Sequence, residues 1–166
     1  MIQIVRVDER LIHGQVATKV LKTIQMDTIL VIDDATAADD LAKKTIQMAV
    51  VGANLSNGVK TVIKNTDEAI RQLNDPRAKG RRIAIVIRDL HSLQRLVNEV
   101  EDVDNINIGV YGNATKTDTP RKSYAAGLSL NEEEKEILKK IAATDKKVYF
   151  RLIPDQQAQN IRDLLK

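Results

Sequence analysis

Apolar residues recur along the chain in two alternating patterns, and these patterns predict its strands and helices. Short β-branched runs such as Thr28–Ile32 (TILVI) are typical of strands buried on both faces, and between them apolar residues return at helical spacing. The pattern predicts strands over 2–7, 28–32, 59–63, 83–88, 106–110, 127–130 and 147–153. It predicts helices over 15–25, 36–51 and 67–73, a helix marked by Leu93, Leu96, Val97 and Val100, a helix capped by Asn131, and a closing helix over 155–165.

The alternation of strands and helices predicts an α/β fold. Successive parallel strands require right-handed crossovers, which place helices on both faces of a mostly parallel, open sheet. The 166 residues suit a single domain, so we expect 1–166 to form one domain. Short connections near residue 127 predict that an edge strand runs antiparallel.

Composition excludes several classes of protein. A net charge of +3 with interspersed signs and only 2% aromatic residues argues against a nucleic-acid partner. The chain has no cysteine and only two histidines, far apart, so we expect no disulfide and no metal site. The N-terminus does not resemble a secretory signal, and no apolar run approaches the ~20 residues of a membrane span. We therefore expect a cytoplasmic protein without membrane insertion.

Chemistry-bearing residues follow the predicted strands, where ligands bind in open parallel sheets. The first strand is followed by the segment from Asp8 to Gly14, and the second by Asp33 and Asp34. Later strands are followed by Asn65, by Arg88 and Asp89, and by Tyr111, Gly112 and Asn113 with the basic loop Lys116, Arg121 and Lys122. If these strands are parallel, the segments share one rim of the sheet.

The segment after the first strand contains the parts needed to receive a phosphoryl group. His13 is expected in the loop or at the very start of a helix, where free N–H groups favour a neutral imidazole and bind an anion. Gly14 leaves room for a large group. Arg10, with Arg6, adds cations that can fork onto phosphate oxygens. Asp8 either holds Arg10 in place or hydrogen-bonds one ring nitrogen of the histidine.

The stretch VRVDERLIHGQVATK, from Val5 to Lys19, resembles the active-site segment of the IIB subunits of the mannose/fructose/sorbose-type bacterial sugar phosphotransferase system. The resemblance extends over the whole chain. ILVIDDATAADDLAKKTIQMA is similar to the second strand and helix of that family, and INIGVYGNATKTDTPRKSYAAGLSL is similar, more loosely, to its later Gly-rich strand and basic loop.

This resemblance implies that His13 is transiently phosphorylated by the phosphohistidine of a IIA partner. The phosphoryl group then passes to a sugar that enters through the membrane subunits IIC and IID. By the same resemblance, Asp8 and Arg10 are loop companions of the histidine, and Gly14 and Gln15 complete the motif. The donor is already a phosphohistidine, so no metal or other cofactor is implied, and contact with the membrane comes through the membrane subunits.

Several residues keep two interpretations at the level of sequence. Asp33 and Asp34 can face the His13 site or cap the following helix, and we favour the cap for Asp34. Arg121 and Lys122 can pair with phosphate or an acidic partner, or lie in a solvated loop. His91 is expected to be a surface residue.

The main alternative for the whole chain is a non-enzymatic α/β module that binds a phosphorylated metabolite for regulation. The stretch GANLSNGVKT, residues 52–61, lacks the spacing of a nucleotide phosphate loop, so it does not suggest a nucleotide. A histidine-based phosphatase is less favoured, because the sequence shows no further acid for its leaving group.

Overall fold

A seven-stranded sheet forms the centre of the molecule in the computed structural model, which describes residues 1–14, 16–113 and 119–166. The strands in chain order are β1 Ile2–Val7, β2 Thr28–Ile32, β3 Lys60–Lys64, β4 Ile83–Ile87, β5 Asn105–Ile108, β6 Lys122–Ala125, β7 Leu128–Leu130, β8 Lys147–Phe150 and β9 Gln159–Asn160. The sheet order is β3-β2-β4-β1-β5-β8-β9, and the neighbours are parallel except for β9, which runs antiparallel to β8. The predicted α/β fold with an antiparallel edge strand is confirmed.

The antiparallel edge strand is not the one that the sequence predicted. Short connections near residue 127 suggested that region, but β6 and β7 pair there as a separate antiparallel hairpin. A parallel bridge between Tyr111 and Leu128 joins the hairpin to the segment that follows β5. The antiparallel strand of the main sheet is β9, in a stretch whose polar residues gave it no strand signal.

Helices cover both faces of the sheet within the described residues. They are α1 Asp34–Ala37, α2 Asp40–Gly52, α3 Thr66–Asn74, α4 Leu90–Glu99, α5 Glu132–Ala142 and α6 Ile161–Leu164. A π-helical segment, Val16–Val20, continues into a 3₁₀ turn at Leu21–Thr23, and a second 3₁₀ turn covers Pro76–Ala78.

Three predicted helices differ from the structure. The segment 36–51 was expected to be one helix, but the carboxylate of Asp39 accepts the N–H groups of Leu41 (2.9 Å) and Ala42 (3.2 Å) and starts a new helix there. Within the predicted helix 15–25, Val16–Val20 is π-helical and Leu21–Thr23 is 3₁₀. The predicted closing helix over 155–165 is reduced to α6, since β9 pairs with the sheet just before it.

Two apolar layers enclose the sheet. Alternate residues of β1 face opposite sides, so that Val5 and Val7 join the layer under α3, α4, α5 and α6 while Ile4 joins the other. The second layer contains Leu11, Ile12 and the π-helical segment, packed with α2. The chain segment around His13 is therefore anchored by core residues on both of its sides. The described residues contain no helix that combines the length and the low polarity of a membrane span.

Candidate functional site

The carboxyl end of β1 lies between β4 and β5, so the segments that follow these strands share one rim of the sheet. The N–H of Asp8 donates to the carbonyl of Ile87 at the end of β4 (3.0 Å), and the N–H of Glu9 donates to the carbonyl of Val110 beyond β5 (2.9 Å). Backbone bonding therefore continues past the end of β1. It fixes the start of the loop from Asp8 to Gly14, called the histidine loop below, against both neighbouring chain segments.

A tight turn within the histidine loop brings His13 to the surface. The N–H of Leu11 donates to the carbonyl of Asp8 (2.9 Å), and Leu11 has a φ of 56°, a left-handed conformation that side chains other than glycine rarely adopt. Leu11 and Ile12 are nonetheless buried, at 1% and 4% exposure. Burial of these two side chains offsets the strained turn and leaves the next residue at the surface.

His13 is exposed and begins the helical segment. Its carbonyl accepts the N–H groups of Val16 (2.8 Å) and Ala17 (3.2 Å), so the residue stands at the amino end of the first helical turn. Gly14, next to it, has no atom within 4 Å of the position that a Cβ would occupy. Gln15 lies outside the described residues. An exposed imidazole beside open space is accessible to a reacting group carried by another protein.

Asp8 organises the arginine of the histidine loop. The carboxylate is buried (0% exposed), and its Oδ1 accepts the backbone N–H of Arg10 (3.0 Å) and the Nε of the same residue (3.3 Å). Its Oδ2 accepts from Nη2 of Arg6 (3.1 Å). Two roles were considered for Asp8, holding Arg10 or bonding the histidine ring. In the structure its carboxylate holds Arg10. The Arg10 side chain remains 34% exposed, so its outer face is open to an anion.

Arg6 lies inside the protein, where we had expected a cation at the rim. Its Nη1 donates to Oδ1 of Asn107 and to the carbonyl of Arg151, both at 2.6 Å, and its Nη2 donates to the carbonyl of Leu152 (3.0 Å). Burial lowers the pKa of Arg6, and the charge of Asp8 opposes that shift. The guanidinium lies so close to Gly109 that a Cβ there would be 2.3 Å from its Cζ. This placement makes Arg6 a structural link between β1 and the segment after β8.

The two aspartates after β2 have distinct partners. Asp33 is the N-cap of α1, and its Oδ2 accepts the N–H (3.1 Å) and the hydroxyl (2.6 Å) of Thr36. The same oxygen is 3.0 Å from Nε of Arg88. Asp34 instead accepts the N–H (2.8 Å) and hydroxyl (3.0 Å) of Thr66, so the expectation that Asp34 is the cap was wrong. Asp33 does lie at the rim, joined to the end of β4.

Arg121 is engaged in an internal ion pair. Its two terminal nitrogens donate to the carboxylate of Glu134, at 3.0 and 2.6 Å, and Nη2 also donates to the carbonyl of Ser129 (3.0 Å). Both side chains are largely buried, at 13% and 8% exposure. Neither expectation, a phosphate ligand or a solvated loop residue, describes this arrangement. Lys122 is exposed, 5.3 Å from the ring centroid of Tyr124, and Lys116 lies outside the described residues.

Two residues at the rim were not among the site residues predicted from the sequence. Glu9 is buried (8% exposed), and its carboxylate accepts the backbone N–H groups of Gly112 (2.9 Å) and Asn113 (3.2 Å). Arg88 donates from Nη1 to the carbonyl of Glu9 (2.7 Å). The sequence signal that could have identified Glu9 and Arg88 as site residues is their position just after β1 and β4. Their contacts depend on strand order, which the sequence does not state.

The second histidine has different surroundings. His91 is exposed near the start of α4, and its Nε2 is 3.0 Å from Oε1 of Glu133, which is also exposed. This agrees with its expected place at the surface. Among the described residues, no group of three or more potential metal ligands lies together.

The fold and this rim together define an α/β domain with an exposed histidine at the carboxyl end of its central strand and a nearby arginine held by a buried carboxylate. The chain belongs to the sorbose subfamily of IIB components of the phosphotransferase system, whose family model matches residues 2–166. IIB components of this system are phosphotransferases of sugar uptake and work with IIA and IIC components.

Individual relatives agree with this membership. A probable phosphotransferase enzyme IIB component of Streptococcus pyogenes serotype M6 is 29% identical over 167 residues, which cover 99% of each chain. The mannose-specific EIIAB component of Escherichia coli K12 is 29% identical over 165 residues, and the match spans 99% of this chain but 48% of that protein. This chain therefore matches about half of the length of the mannose-specific relative.

Solved structures show the same fold. The IIB domain of the sorbose permease from Klebsiella pneumoniae superposes with a TM-score of 0.86 at 21% identity, covering 99% of this chain and 96% of that one. The manxB protein from Thermoanaerobacter tengcongensis superposes with a TM-score of 0.84 at 26% identity, covering 99% and 95%.

Proposed function

We propose that this chain is the phosphoryl carrier of a sugar uptake system and that His13 is the residue that carries the phosphoryl group. The observation that supports this proposal most directly is the position of His13. It is exposed at the start of a helical segment, on a loop fixed from both sides by strand-end hydrogen bonds. A donor protein can reach such a histidine without any change in the fold.

The proposed reaction has two transfers. In the first, a ring nitrogen of His13 attacks the phosphorus of a IIA phosphohistidine. A new P–N bond forms, and the electron pair of the broken P–N bond returns to the donor imidazole. In the second, a sugar hydroxyl oxygen attacks the phosphorus, the P–N bond to His13 breaks, and the hydroxyl proton passes to solvent. The protein contributes mainly position and charge to such transfers.

The neighbouring residues have complementary proposed roles. Arg10 is the cation for the phosphoryl oxygens, because Asp8 holds its Nε side and leaves the rest of the guanidinium partly exposed. Gly14 gives the transferred group space, because no atom lies within 4 Å of its Cβ position. Gln15 completes the motif beside the histidine, as the family resemblance implies. Arg6, Asp33 and Arg121 act by holding the framework. Arg6 donates to Asn107, Asp33 accepts from Thr36, and Arg121 pairs with Glu134.

The proposed partners are a IIA phosphoryl donor, the membrane subunits IIC and IID, and the transported sugar. Residues 1–166 act as one IIB domain at the cytoplasmic side of the membrane, held there by the membrane subunits. No cofactor or metal enters the proposed reaction, since both the donor and the intermediate are phosphohistidines. The mannose-specific relative supports a hexose as the sugar.

Phosphate labelling with His13→Ala and His91→Ala tests the proposal. The chain is incubated with phosphoenolpyruvate, the general relay proteins and a IIA protein of the same system. We expect wild type and His91→Ala to take up one acid-labile, base-stable phosphate, as a P–N bond requires, and His13→Ala to take up none. His91→Ala is the matched control, since it removes the only other histidine.

Two outcomes would contradict the proposal. Label retained by His13→Ala would show that another residue carries the phosphoryl group. A wild-type chain that takes up no label, yet binds a phosphorylated sugar, would favour the regulatory binding module.

A further inference from the structure

Arg88 joins three strand ends at the rim. It follows β4 directly, its Nη1 donates to the backbone carbonyl of Glu9 (2.7 Å), and its Nε is 3.0 Å from Oδ2 of Asp33. Glu9 belongs to the histidine loop and Asp33 follows β2. One guanidinium therefore fixes the end of β1 relative to the ends of β4 and β2. A planar, forked group can hold two acceptors at fixed angles in this way, whereas an ammonium group cannot.

The contact at Glu9 is placed where it controls the reactive residues. The peptide group whose carbonyl Arg88 binds also carries the N–H of Arg10, and that N–H donates to Oδ1 of Asp8 (3.0 Å). One peptide plane is therefore held on one side by Arg88 and on the other by Asp8. A rotation of this plane would move the backbone of Arg10, three residues before His13.

The opposite side of the loop has its own tether. Arg6 and Asp8 link it to Asn107 and to the backbone after β8. That tether is almost entirely buried, whereas the Arg88 side chain is 44% exposed. Loss of the exposed tether is therefore less costly to folding than loss of the buried one. We expect loss of the Arg88 contacts to change the conformation of the histidine loop.

We propose that Arg88 is a positioning residue for phosphoryl transfer, which sets the orientation of the Glu9–Arg10 peptide and thereby the placement of Arg10 and His13. This inference rests on the proposed function, because the rate it concerns is the phosphorylation of His13. Asp33 acts with Arg88, since its carboxylate fixes the other side of the same guanidinium. Misplacement of reacting groups by about 1 Å can reduce a rate by about a hundredfold.

The test is the rate of His13 phosphorylation by a phosphorylated IIA protein, measured in single turnovers over a range of donor concentrations. The variants are Arg88→Gln, which removes both contacts, and Arg88→Lys, which keeps the charge but not the fork. We expect the maximal rate to fall about ten- to a hundredfold in Arg88→Gln and less in Arg88→Lys. The donor concentration at half-maximal rate should stay at its wild-type value, because a positioning residue does not contact the donor.

Arg82→Gln is the matched control. Arg82 stands immediately before β4 as Arg88 stands immediately after it, has similar exposure (48%), and forms a comparable ion pair with Asp27 (2.6 Å) at the opposite end of the sheet. We expect this variant to transfer phosphate at the wild-type rate. Circular dichroism and thermal unfolding establish that each variant is folded before its rate is compared.

A double-mutant cycle with Asp33→Asn tests the mechanism of positioning. Asparagine caps helices as well as aspartate does, so this variant keeps the cap of α1 while it removes the charge that holds Arg88. If both residues act through one contact, the double variant should be no slower than Arg88→Gln alone.

The outcomes separate this inference from the proposed function. A wild-type rate in folded Arg88→Gln would overturn the role of Arg88 and leave the proposed function standing. An unchanged maximal rate with a higher half-maximal donor concentration would also overturn it, in favour of direct contact with the donor. If wild type and Arg82→Gln take up no phosphate, the proposed function fails and this inference fails with it.

Discussion

Single residues at the rim owe their positions to contacts with distant parts of the chain. Arg6 and Arg10 are four residues apart and share one carboxylate, that of Asp8, yet one is 1% exposed and the other 34%. The difference arises because acceptors from Asn107 and from the backbone after β8 surround Arg6. Two arginines of one motif therefore have different roles, one in the framework and one at the surface.

Gly109 is required by the buried arginine. A Cβ at this position would lie 2.3 Å from Cζ and Nη2 of Arg6, so we expect Gly109→Ala to displace the guanidinium from Asp8. The expected loss of stability is about 1–3 kcal/mol, typical of an added group in a tightly packed site. Slower phosphorylation of His13 should accompany it. Urea denaturation and the transfer assay measure the two effects.

Gly52→Ala serves as the control for this substitution. Gly52 ends α2, and nothing lies within 4 Å of its Cβ position, so alanine should be neutral or slightly stabilising there. Equal stability of the two alanine variants would contradict the close approach of Arg6 to Gly109.

At the scale of elements, one ion pair joins the segment before β6 to α5. Arg121 and Glu134 form a two-point contact, and Glu134 also lies in the first turn of α5, where Asn131 is the cap. Acidic residues in this turn favour the helix through its dipole. The pair therefore stabilises both the start of α5 and the approach to the β6–β7 hairpin.

Replacement of Arg121 should affect stability and spare phosphoryl transfer. Arg121→Met leaves the carboxylate of Glu134 largely buried without its partner, which typically costs about 3–5 kcal/mol. We expect a lower urea midpoint and an unchanged rate of His13 phosphorylation per folded molecule. Adding Glu134→Leu should restore most of the stability, because the unpaired charge is then gone. Lost transfer in a folded Arg121→Met protein would instead support the interpretation of Arg121 as a phosphate ligand.

Helix boundaries show which elements local sequence specifies. Helix α3 begins close to its predicted start, since Asn65 accepts the N–H of Glu68 (2.8 Å) and provides a clear local cap. The predicted helix 15–25 instead became π-helical and 3₁₀ while Val16, Val20 and Leu21 were buried. Apolar spacing indicated which side of this segment is buried, but it did not indicate a π-helical and 3₁₀ backbone.

At the scale of the whole molecule, the phenol of Tyr111 links stability to alkaline pH. Burial, with a smaller effect of the charge of Glu134, raises the pKa of Tyr111 above its usual value of about 10. A group with a raised pKa in the folded state contributes stability that is complete below its unfolded pKa. That contribution is lost as the pH rises above about 10, where the unfolded chain ionises first.

The expected alkaline loss from this residue is about 1.4 kcal/mol per pH unit above pH 10. We expect Tyr111→Phe, which has no ionisable group, to show a shallower decline of unfolding free energy between pH 10 and 11. Denaturant titrations at several pH values measure the slope. A slope equal to that of wild type would contradict the burial of this phenol.

The sequence by itself determined the class of fold and the place of the candidate site. Apolar runs such as TILVI indicate strands, because a strand buried on both faces must be apolar throughout, and their alternation with helices implies a parallel sheet. The motif around His13 and the positions directly after the strands indicate the rim. The role of His13 itself stays a prediction, as do the roles of Asp8, Arg10, Gly14 and Gln15.

Only the tertiary structure decided which polar residues are buried and which strand ends are adjacent. The ion pair of Arg121 with Glu134, the enclosure of Arg6 and the contacts of Arg88 with Glu9 and Asp33 join residues up to 146 positions apart. Hydrophobic periodicity and capping motifs carry information only about residues that are close together in the sequence. The pairing of distant charges depends on strand order and on the space left between packed elements, and both arise only when the whole chain folds.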